Sequence, residues 1–293
     1  MKPIIFSLFD NAKLIETIKE RCAYEIGEQT FRQFPDEESY IKINSVVKNR
    51  KVILLASLDN PNIKALPLLF TAQTVKELGA KEVGLVAPYL AYMRQDKQFN
   101  PGEGITSKYF AALLSQHFDW LVTIDPHLHR KKSLSELYSI PATVLHGSVP
   151  IAKWLKANVE NPLIIGPDKE SEQWVSDIAQ QVGAPFIVLE KLRKGDRSVE
   201  ISLPSLNQYH NLTPVLIDDI ISTGKTMLET IIHLKNAKTK PPVCIGVHGI
   251  FAENAYEVLL TTGATKVITC NTIKHVSNAI DVSPLIVNFL NRR

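Results

Sequence analysis

The stretch Val215-Leu-Ile-Asp218-Asp219-Ile-Ile-Ser222-Thr223-Gly224-Lys225-Thr226 carries the densest chemistry in the chain. Two adjacent carboxylates end an apolar run, and small hydroxylated residues follow in a tight turn. The apolar run predicts a buried strand, while Met227, Ile231, Ile232 and Leu234 predict a helix directly after the turn. A strand–turn–helix of this kind offers backbone N–H groups and a helix N-terminus to a phosphate. Asp218 and Asp219 suit the hydroxyls of a sugar or a divalent cation, so the segment reads as a pocket for a sugar phosphate. Thr223-Gly-Lys-Thr226 also matches the end of a Walker A loop. That loop needs a glycine five positions before its Gly-Lys pair, where this chain has Asp219, a carboxylate that repels phosphate. A P-loop is excluded. The plain alternative is a solvated strand-to-helix turn, against which two acids closing an apolar strand weigh.

Five further segments carry reactive residue types. Phe34 and Pro35 precede Asp36, Glu37 and Glu38 on a stretch leading into Tyr40-Ile-Lys-Ile43. In an extended chain Asp36 and Glu38 share a face. There they accept hydrogen bonds from a base or a ribose while Phe34 offers a stacking surface; a solvated acidic turn fits them as well. The stretch 88–97 follows an apolar run and supplies Arg94, Gln95, Asp96 and Lys97. Arg94 and Lys97 suit a polyphosphate, or an ordinary basic surface loop. Asp125-Pro126-His127-Leu128-His129-Arg130 follows another apolar run. Its imidazoles suggest zinc, but no cysteine or acid stands at ligand spacing, and a merely polar loop serves equally. Gly166-Pro167-Asp168 ends a further run in an acid, either a cation ligand or a helix N-cap. Last, Lys191, Arg193, Lys194 and Arg197 put four cations in seven residues. Such a segment can close over a polyanion and place charge where a transition state needs it; otherwise it is the tip of a surface hairpin.

The elements that must position these residues alternate along the chain. Apolar runs at 51–57, 83–88, 120–124, 162–166, 185–190, 214–220, 243–249 and 266–270 predict strands. Helical patterns lie between them, one at 63–78 before Gly79 and one at 107–118 with Thr106 as its cap. Others begin at Ser148, end at Gly183 and end at Gly263. Strand–helix alternation predicts an α/β fold with parallel sheets. The 293 residues suffice for two domains, and we place the boundary at 146/147, giving domains 1–146 and 147–293. Leu121–Asp125 and Leu216–Asp219 share a strand-ending-in-Asp design, a sign of internal duplication. A net charge of +3, dispersed along the chain, argues against nucleic-acid binding. No apolar run approaches the roughly 18 residues needed to cross a bilayer. The N-terminal apolar core is too short for a signal peptide and predicts a first strand. Cys22, Cys244 and Cys270 are isolated, which points to a reducing cytoplasm.

Taken in order, these segments resemble the ribose-phosphate pyrophosphokinase family from near Phe34 to near Ile286. The matching elements are Phe34-Pro-Asp-Glu-Glu38, Pro88-Tyr89 through Lys97, Asp125-Pro-His127, Gly166-Pro-Asp168, Lys191-Leu-Arg193 and residues 218–226. Thr269–Ile273 and Asp281–Leu285 are similar to the family too. The resemblance implies two tandem phosphoribosyltransferase-like (type I) domains, each a mostly parallel sheet flanked by helices. It implies transfer of pyrophosphate from MgATP to the anomeric hydroxyl of ribose 5-phosphate, releasing AMP and supplying nucleotide biosynthesis. Phe34, Asp36, Glu37 and Glu38 would then bind the adenine side of ATP, with Arg94, Gln95, Asp96 and Lys97 completing the nucleotide site. His127 and Asp168 would hold magnesium, with ATP phosphates and water filling the remaining positions. Lys191 and Arg193 would be the catalytic pair. Ribose 5-phosphate would be held by Arg193, Asp218, Asp219, Ser222, Thr223, Gly224, Lys225 and Thr226. A cytoplasmic homo-oligomer built from dimers, a tetramer or a hexamer, is also implied, with neither nucleic-acid nor membrane partners.

Three departures from the family pattern stand out. Asp168 is followed by Lys-Glu-Ser-Glu-Gln-Trp174 in place of a glycine-rich loop. Ser222 and Lys225 replace an aspartate and a glycine, which removes a carboxylate able to assist deprotonation. Asp125-Pro-His127 replaces Asp-Leu-His and runs on into His129-Arg130-Lys131. A plain phosphoribosyltransferase would share residues 218–226 but would have no need of the Phe34–Glu38 and Arg94–Lys97 loops. A regulatory homologue without activity would lack the cationic segment that this chain retains.

Overall fold

The computed structural model describes residues 1–9, 12–128, 130–194, 198–202 and 209–293, with backbone alone for 12, 170, 173, 190–194 and 198–202. The chain forms two compact units: Met1–His146 with Thr272–Lys274 and Ser283–Arg293, and Gly147–Asn271 with His275–Val282. The first contains β1 (Ile4–Ser7), α1 (Ala12–Arg21), β2 (Glu25–Ile26), β3 (Gln29–Gln33), β4 (Ser39–Ile43) and β5 (Lys51–Leu55). It continues with α2 (Pro61–Glu77), β6 (Glu82–Ala87), α3 (Thr106–His117), β7 (Trp120–Ile124) and β8 (Ala142–Leu145). The second unit holds α4 (Ser148–Asn158), β9 (Pro162–Gly166), α5 (Glu172–Val182), β10 (Phe186–Val188), β11 (Glu190–Lys194) and β12 (Ser198–Ser202). After these come β13 (Thr213–Ile221), α6 (Lys225–Asn236), β14 (Val243–Gly249), α7 (Ala255–Thr262), β15 (Lys266–Cys270) and β16 (Asn278–Ile280). The last helix, α8 (Ser283–Asn291), returns to the first unit.

Each unit has a six-stranded sheet, ordered β2-β1-β5-β6-β7-β8 and β10-β9-β13-β14-β15-β16. Every pairing within them is parallel. Consecutive residues 52–55, 163–165, 215–217 and 243–245 are all buried, the pattern of strands covered on both faces. Two antiparallel ribbons, β3–β4 and β11–β12, follow the second strand of their respective units. β3 and β4 are too polar and exposed to register as an apolar run, and the expected strand at 185–190 divides between β10 and β11.

The units repeat one plan, but the two strands that end in Asp are not its matching parts. β7, which precedes Asp125, is fifth across its sheet; β13, which carries Asp218, is third and corresponds to β5. The shared strand-ending-in-Asp design therefore does not mark equivalent positions. The expected C-terminal domain, 147–293, also needs correction, because α8 belongs with the first unit. Its Ile286, Val287 and Leu290 are buried, the Tyr24 hydroxyl donates to the Leu290 carbonyl (3.1 Å), and the Phe289 ring lies 5.7 Å from Trp120. An apolar helix goes where unfilled apolar surface is, and here α1 and β7 provide it.

Gly84 in β6 owes its identity to close approach. A Cβ there would sit 2.0 Å from the Trp120 ring, itself buried. Gly84→Ala is expected to lower stability by about 1–3 kcal/mol through overpacking, read by urea unfolding, and adding Trp120→Leu should restore part of the loss. A wild-type unfolding curve for Gly84→Ala would show that Trp120 moves aside without cost.

Candidate active site

The pentose-phosphate candidates lie at the carboxyl ends of strands in the second unit. β13 continues past both acids, with Asp218 opposite Gly246 and Ile220 opposite His248 of β14. The Asp219 N–H donates to Asp218 Oδ1 at 3.0 Å. Desolvation pushes the Asp218 carboxyl well above the ordinary carboxylate range, and the negative charges of Asp219 and then Asp168 push it further. Asp168 contributes because β9 and β13 are adjacent strands and it stands just beyond the end of β9. Its backbone is extended, its side chain does not cap the following turn, and its carbonyl accepts from Ser171 Oγ at 2.6 Å. That short 3-10 turn, Lys169–Ser171, begins the segment that departs from the family's glycine-rich pattern.

Beyond β13 the chain turns through Ser222 and Thr223, both half-buried, to Gly224 at φ 67°, ψ 6°. A Cβ at Gly224 would make only ordinary 3.5 Å contacts with Ala255 and Leu259. The backbone conformation is therefore what demands glycine. α6 starts at Lys225 with no side-chain cap. Its first N–H groups and its positive dipole end therefore present themselves to an anion. Lys225 is exposed at that end and Thr226 is half-buried.

Lys191 and Arg193 fall on β11, in register with Ile201 and Val199 of β12. Their side chains lie outside the described part of the molecule, as do Gly195, Asp196 and Arg197.

In the first unit Phe34, Asp36, Glu37 and Glu38 form the tip of the β3–β4 ribbon. This is a turn and not an extended stretch, so Asp36 and Glu38 do not share a strand face. The Phe34 N–H donates to the Glu38 carbonyl (2.8 Å) and the Glu37 N–H to the Phe34 carbonyl (2.9 Å), with Glu37 at φ 71°. Asp36 Oδ1 accepts from the Glu38 N–H at 3.4 Å. Phe34 is partly exposed, edge-on to Tyr40 with centroids 6.1 Å apart. Arg32 lies 4.6 Å from the Phe34 ring and 4.3 Å from that of Tyr40, a stacking partner that sequence reading missed. The signal was available: Arg32 stands two before Phe34, and ribbon pairing sets it opposite Tyr40.

The loop after β6 carries Arg94, exposed, and Gln95, whose Oε1 accepts from Thr106 Oγ1 at 3.0 Å. Thr106 thus orients Gln95 instead of capping α3, whose N-cap is Ile105. Lys97 stands 5.1 Å from the Phe99 ring. Asp96 is turned inward, its carboxylate paired to Arg130 at 3.0 Å. Buried and so paired, it is held inside the loop beside the exposed Arg94. His127 is half-buried on the loop after β7, two residues beyond Asp125 at φ 33°; His129 lies outside the described residues.

Among the described residues no group of three His, Cys, Asp or Glu side chains can hold a metal alone. The crowded carboxylates near Asp168 are nevertheless oxygen donors whose repulsion a hard divalent cation relieves. They fit magnesium if its remaining ligands come from substrate phosphates and water.

Two parallel-sheet units with an uncapped strand–turn–helix in the second define a chain built on phosphoribosyltransferase-type domains. Residues 3–117 match the N-terminal domain of ribose phosphate pyrophosphokinase, and residues 133–286 match the phosphoribosyl transferase domain. The chain is 34% identical to ribose-phosphate pyrophosphokinase from Saccharolobus solfataricus over 246 residues, 82% of each chain. It is 30% identical to that from Sulfurisphaera tokodaii over 260 residues, covering 86% of this chain and 88% of the relative. The crystal structure of phosphoribosylpyrophosphate synthetase from Mycobacterium smegmatis superposes with a TM-score of 0.86 at 22% identity, covering 99% and 98% of the two chains. This chain belongs to the ribose-phosphate pyrophosphokinase family and is an enzyme, a transferase of nucleotide biosynthesis. No helix among the described residues is long and apolar enough to cross a membrane.

The raised Asp218 carboxyl has a stability consequence. Its folded form holds the proton to higher pH than the unfolded chain does. The stability that this proton contributes is whole below the ordinary carboxylate range and is lost as pH rises through the folded value. In metal-free protein at pH 7, Asp218→Asn is expected to raise the melting temperature by about 2–4 °C, with a smaller gain at pH 5. A variant that melts lower than wild type at both pH values would refute the charge crowding.

Proposed function

We propose that the enzyme transfers the β,γ-pyrophosphoryl group of ATP to the anomeric hydroxyl of ribose 5-phosphate, giving phosphoribosyl pyrophosphate and AMP. The single observation that carries this reading is the pairing of Asp218 and Asp219 with an uncapped α6 N-terminus. The acids suit vicinal ribose hydroxyls, while Ser222, Thr223, Thr226 and the N–H groups around Gly224 suit the 5-phosphate. Lys225 adds positive charge beside it. Phe34, flanked by Arg32 and Tyr40, offers an aromatic surface to adenine, and Asp36, Glu37 and Glu38 offer acceptors to its amino group and ribose. Arg94 and Lys97 face the triphosphate charge, and Gln95 is oriented by Thr106.

The anomeric oxygen bonds to the β-phosphorus, the bond from that phosphorus to the α–β bridging oxygen breaks, and AMP departs with the bridging oxygen. The hydroxyl proton passes to solvent, since Ser222 stands where the family loop carries a carboxylate. His127 and Asp168 are the proposed magnesium ligands; when bound, the ion withdraws charge from the triphosphate. Lys191 and Arg193 stabilise negative charge developing at the transferred group, so positioning and electrostatics suffice without a covalent nucleophile. The family likeness also supports a cytoplasmic, dimer-based homo-oligomer, and exposed Ile63, Leu66 and Phe70 at helical spacing on α2 suit a subunit contact.

With magnesium, ATP and ribose 5-phosphate, purified protein should release AMP; release of ADP instead would identify a simple kinase. Lys191→Ala should lower kcat about 10²- to 10³-fold with ATP affinity nearly intact, because the residue acts on the transition state. An unchanged kcat would remove the role assigned to β11.

A further inference from the structure

Arg130 stands three residues past His127 on the loop that follows β7. Its Nη1 donates to Asp96 Oδ1 at 3.0 Å, and the Asp96 side chain is only 3% exposed against 35% for Arg130. The other carboxylate oxygen, Oδ2, is buried and has no hydrogen-bond partner among the described residues. The Arg130 guanidinium also lies 5.5 Å from the Phe99 ring, on which Lys97 approaches to 5.1 Å. On the N-terminal side of His127, Asp125 Oδ1 pairs with His146 Nδ1 at 3.0 Å. His127 thus lies between two held positions, Asp125 tied to His146 just past β8 and Arg130 tied to the loop after β6. A buried carboxylate deprived of its cation is left with an uncompensated charge. Keeping Asp96 inside the 88–99 loop without Arg130 would therefore be costly.

We propose that Arg130 is a positioning residue. Through Asp96 it locks the loop bearing Arg94 and Gln95 to the loop bearing His127, so that the nucleotide-facing and metal-facing groups keep one relative placement. The inference rests on the nucleotide role given to these loops above. Aspartate and arginine here do not touch the reacting atoms; they hold the residues that do.

The test compares full-length wild type with Arg130→Gln, Arg130→Lys, Asp96→Asn and the double variant Asp96→Asn/Arg130→Gln. Calorimetric titration with ATP in EDTA reads the nucleotide loop without metal or turnover, and steady-state kinetics reads each KM separately. Arg130→Gln is expected to weaken ATP about 10-fold in EDTA and to lower kcat/KM for MgATP about 10- to 100-fold, with the KM for ribose 5-phosphate unchanged. Arg130→Lys should recover most of the ATP affinity. The double variant should bind ATP better than Arg130→Gln alone, since it removes the stranded charge together with its partner. Equal shifts in both KM values, simple addition of losses in the double variant, or a lowered melting temperature with wild-type ATP affinity would overturn the proposal. Wild type that binds ATP in EDTA but forms no AMP would refute the assigned reaction while the calorimetric series still decides the role of Arg130. Wild type that fails to bind ATP would overturn both.

Discussion

Desolvated negative charge at the end of β13 is the constraint around which the second unit is organised. Asp218 and Asp219 are adjacent in sequence, and sheet order brings Asp168 to them by setting β9 beside β13. Carboxylates so placed repel one another and are partly stripped of water, an arrangement costly to stability. What relieves it is a proton, a cation or a set of donor hydroxyls, and a sugar phosphate with a divalent ion brings the last two together. The apolar residues 215–217, buried on both faces, hold the strand end in place against that repulsion.

One plan, used twice, serves different chemistry. In each unit an antiparallel ribbon follows the second strand in sequence, and in each the third position across the sheet is a central parallel strand. The first ribbon ends in Phe34 and three acids and stacks Arg32 on two rings; the second carries Lys191 and Arg193. Helices after the last strands are exchanged: α4, which follows β8, belongs to the second unit, and α8, which follows β16, belongs to the first. Loops that vary at the carboxyl ends of a repeated parallel sheet let one scaffold hold unlike groups.

Much of the site was legible because its residues are contiguous. Residues 215–226 display strand, acids, turn and helix in a single line, and Gly224 appears where a left-handed φ is needed. Residues whose meaning depends on a partner were only partly legible. Asp96 shows in sequence only as an acid within a basic loop, and its buried pair with Arg130, distant in sequence, appears only in the fold. Thr106 has the chemistry of a helix cap, yet its hydroxyl goes to Gln95. For Asp36 and Glu38 the sequence offers a shared extended face or a solvated acidic turn; the structure forms the turn, with Asp36 accepting from the Glu38 N–H.

By itself the sequence determined the α/β class, the strands of both sheets that are apolar throughout, and the order of motifs that marks the family. These are properties of local composition and spacing, and burial follows from them directly. Tertiary structure alone decided which strands became neighbours, and therefore that Asp168 adds its charge to Asp218, that β13 corresponds to β5, and that α8 completes the first unit. Strand order and side-chain pairing arise from long-range packing, where each element takes the apolar surface or counter-charge that remains, and no window of sequence contains that information.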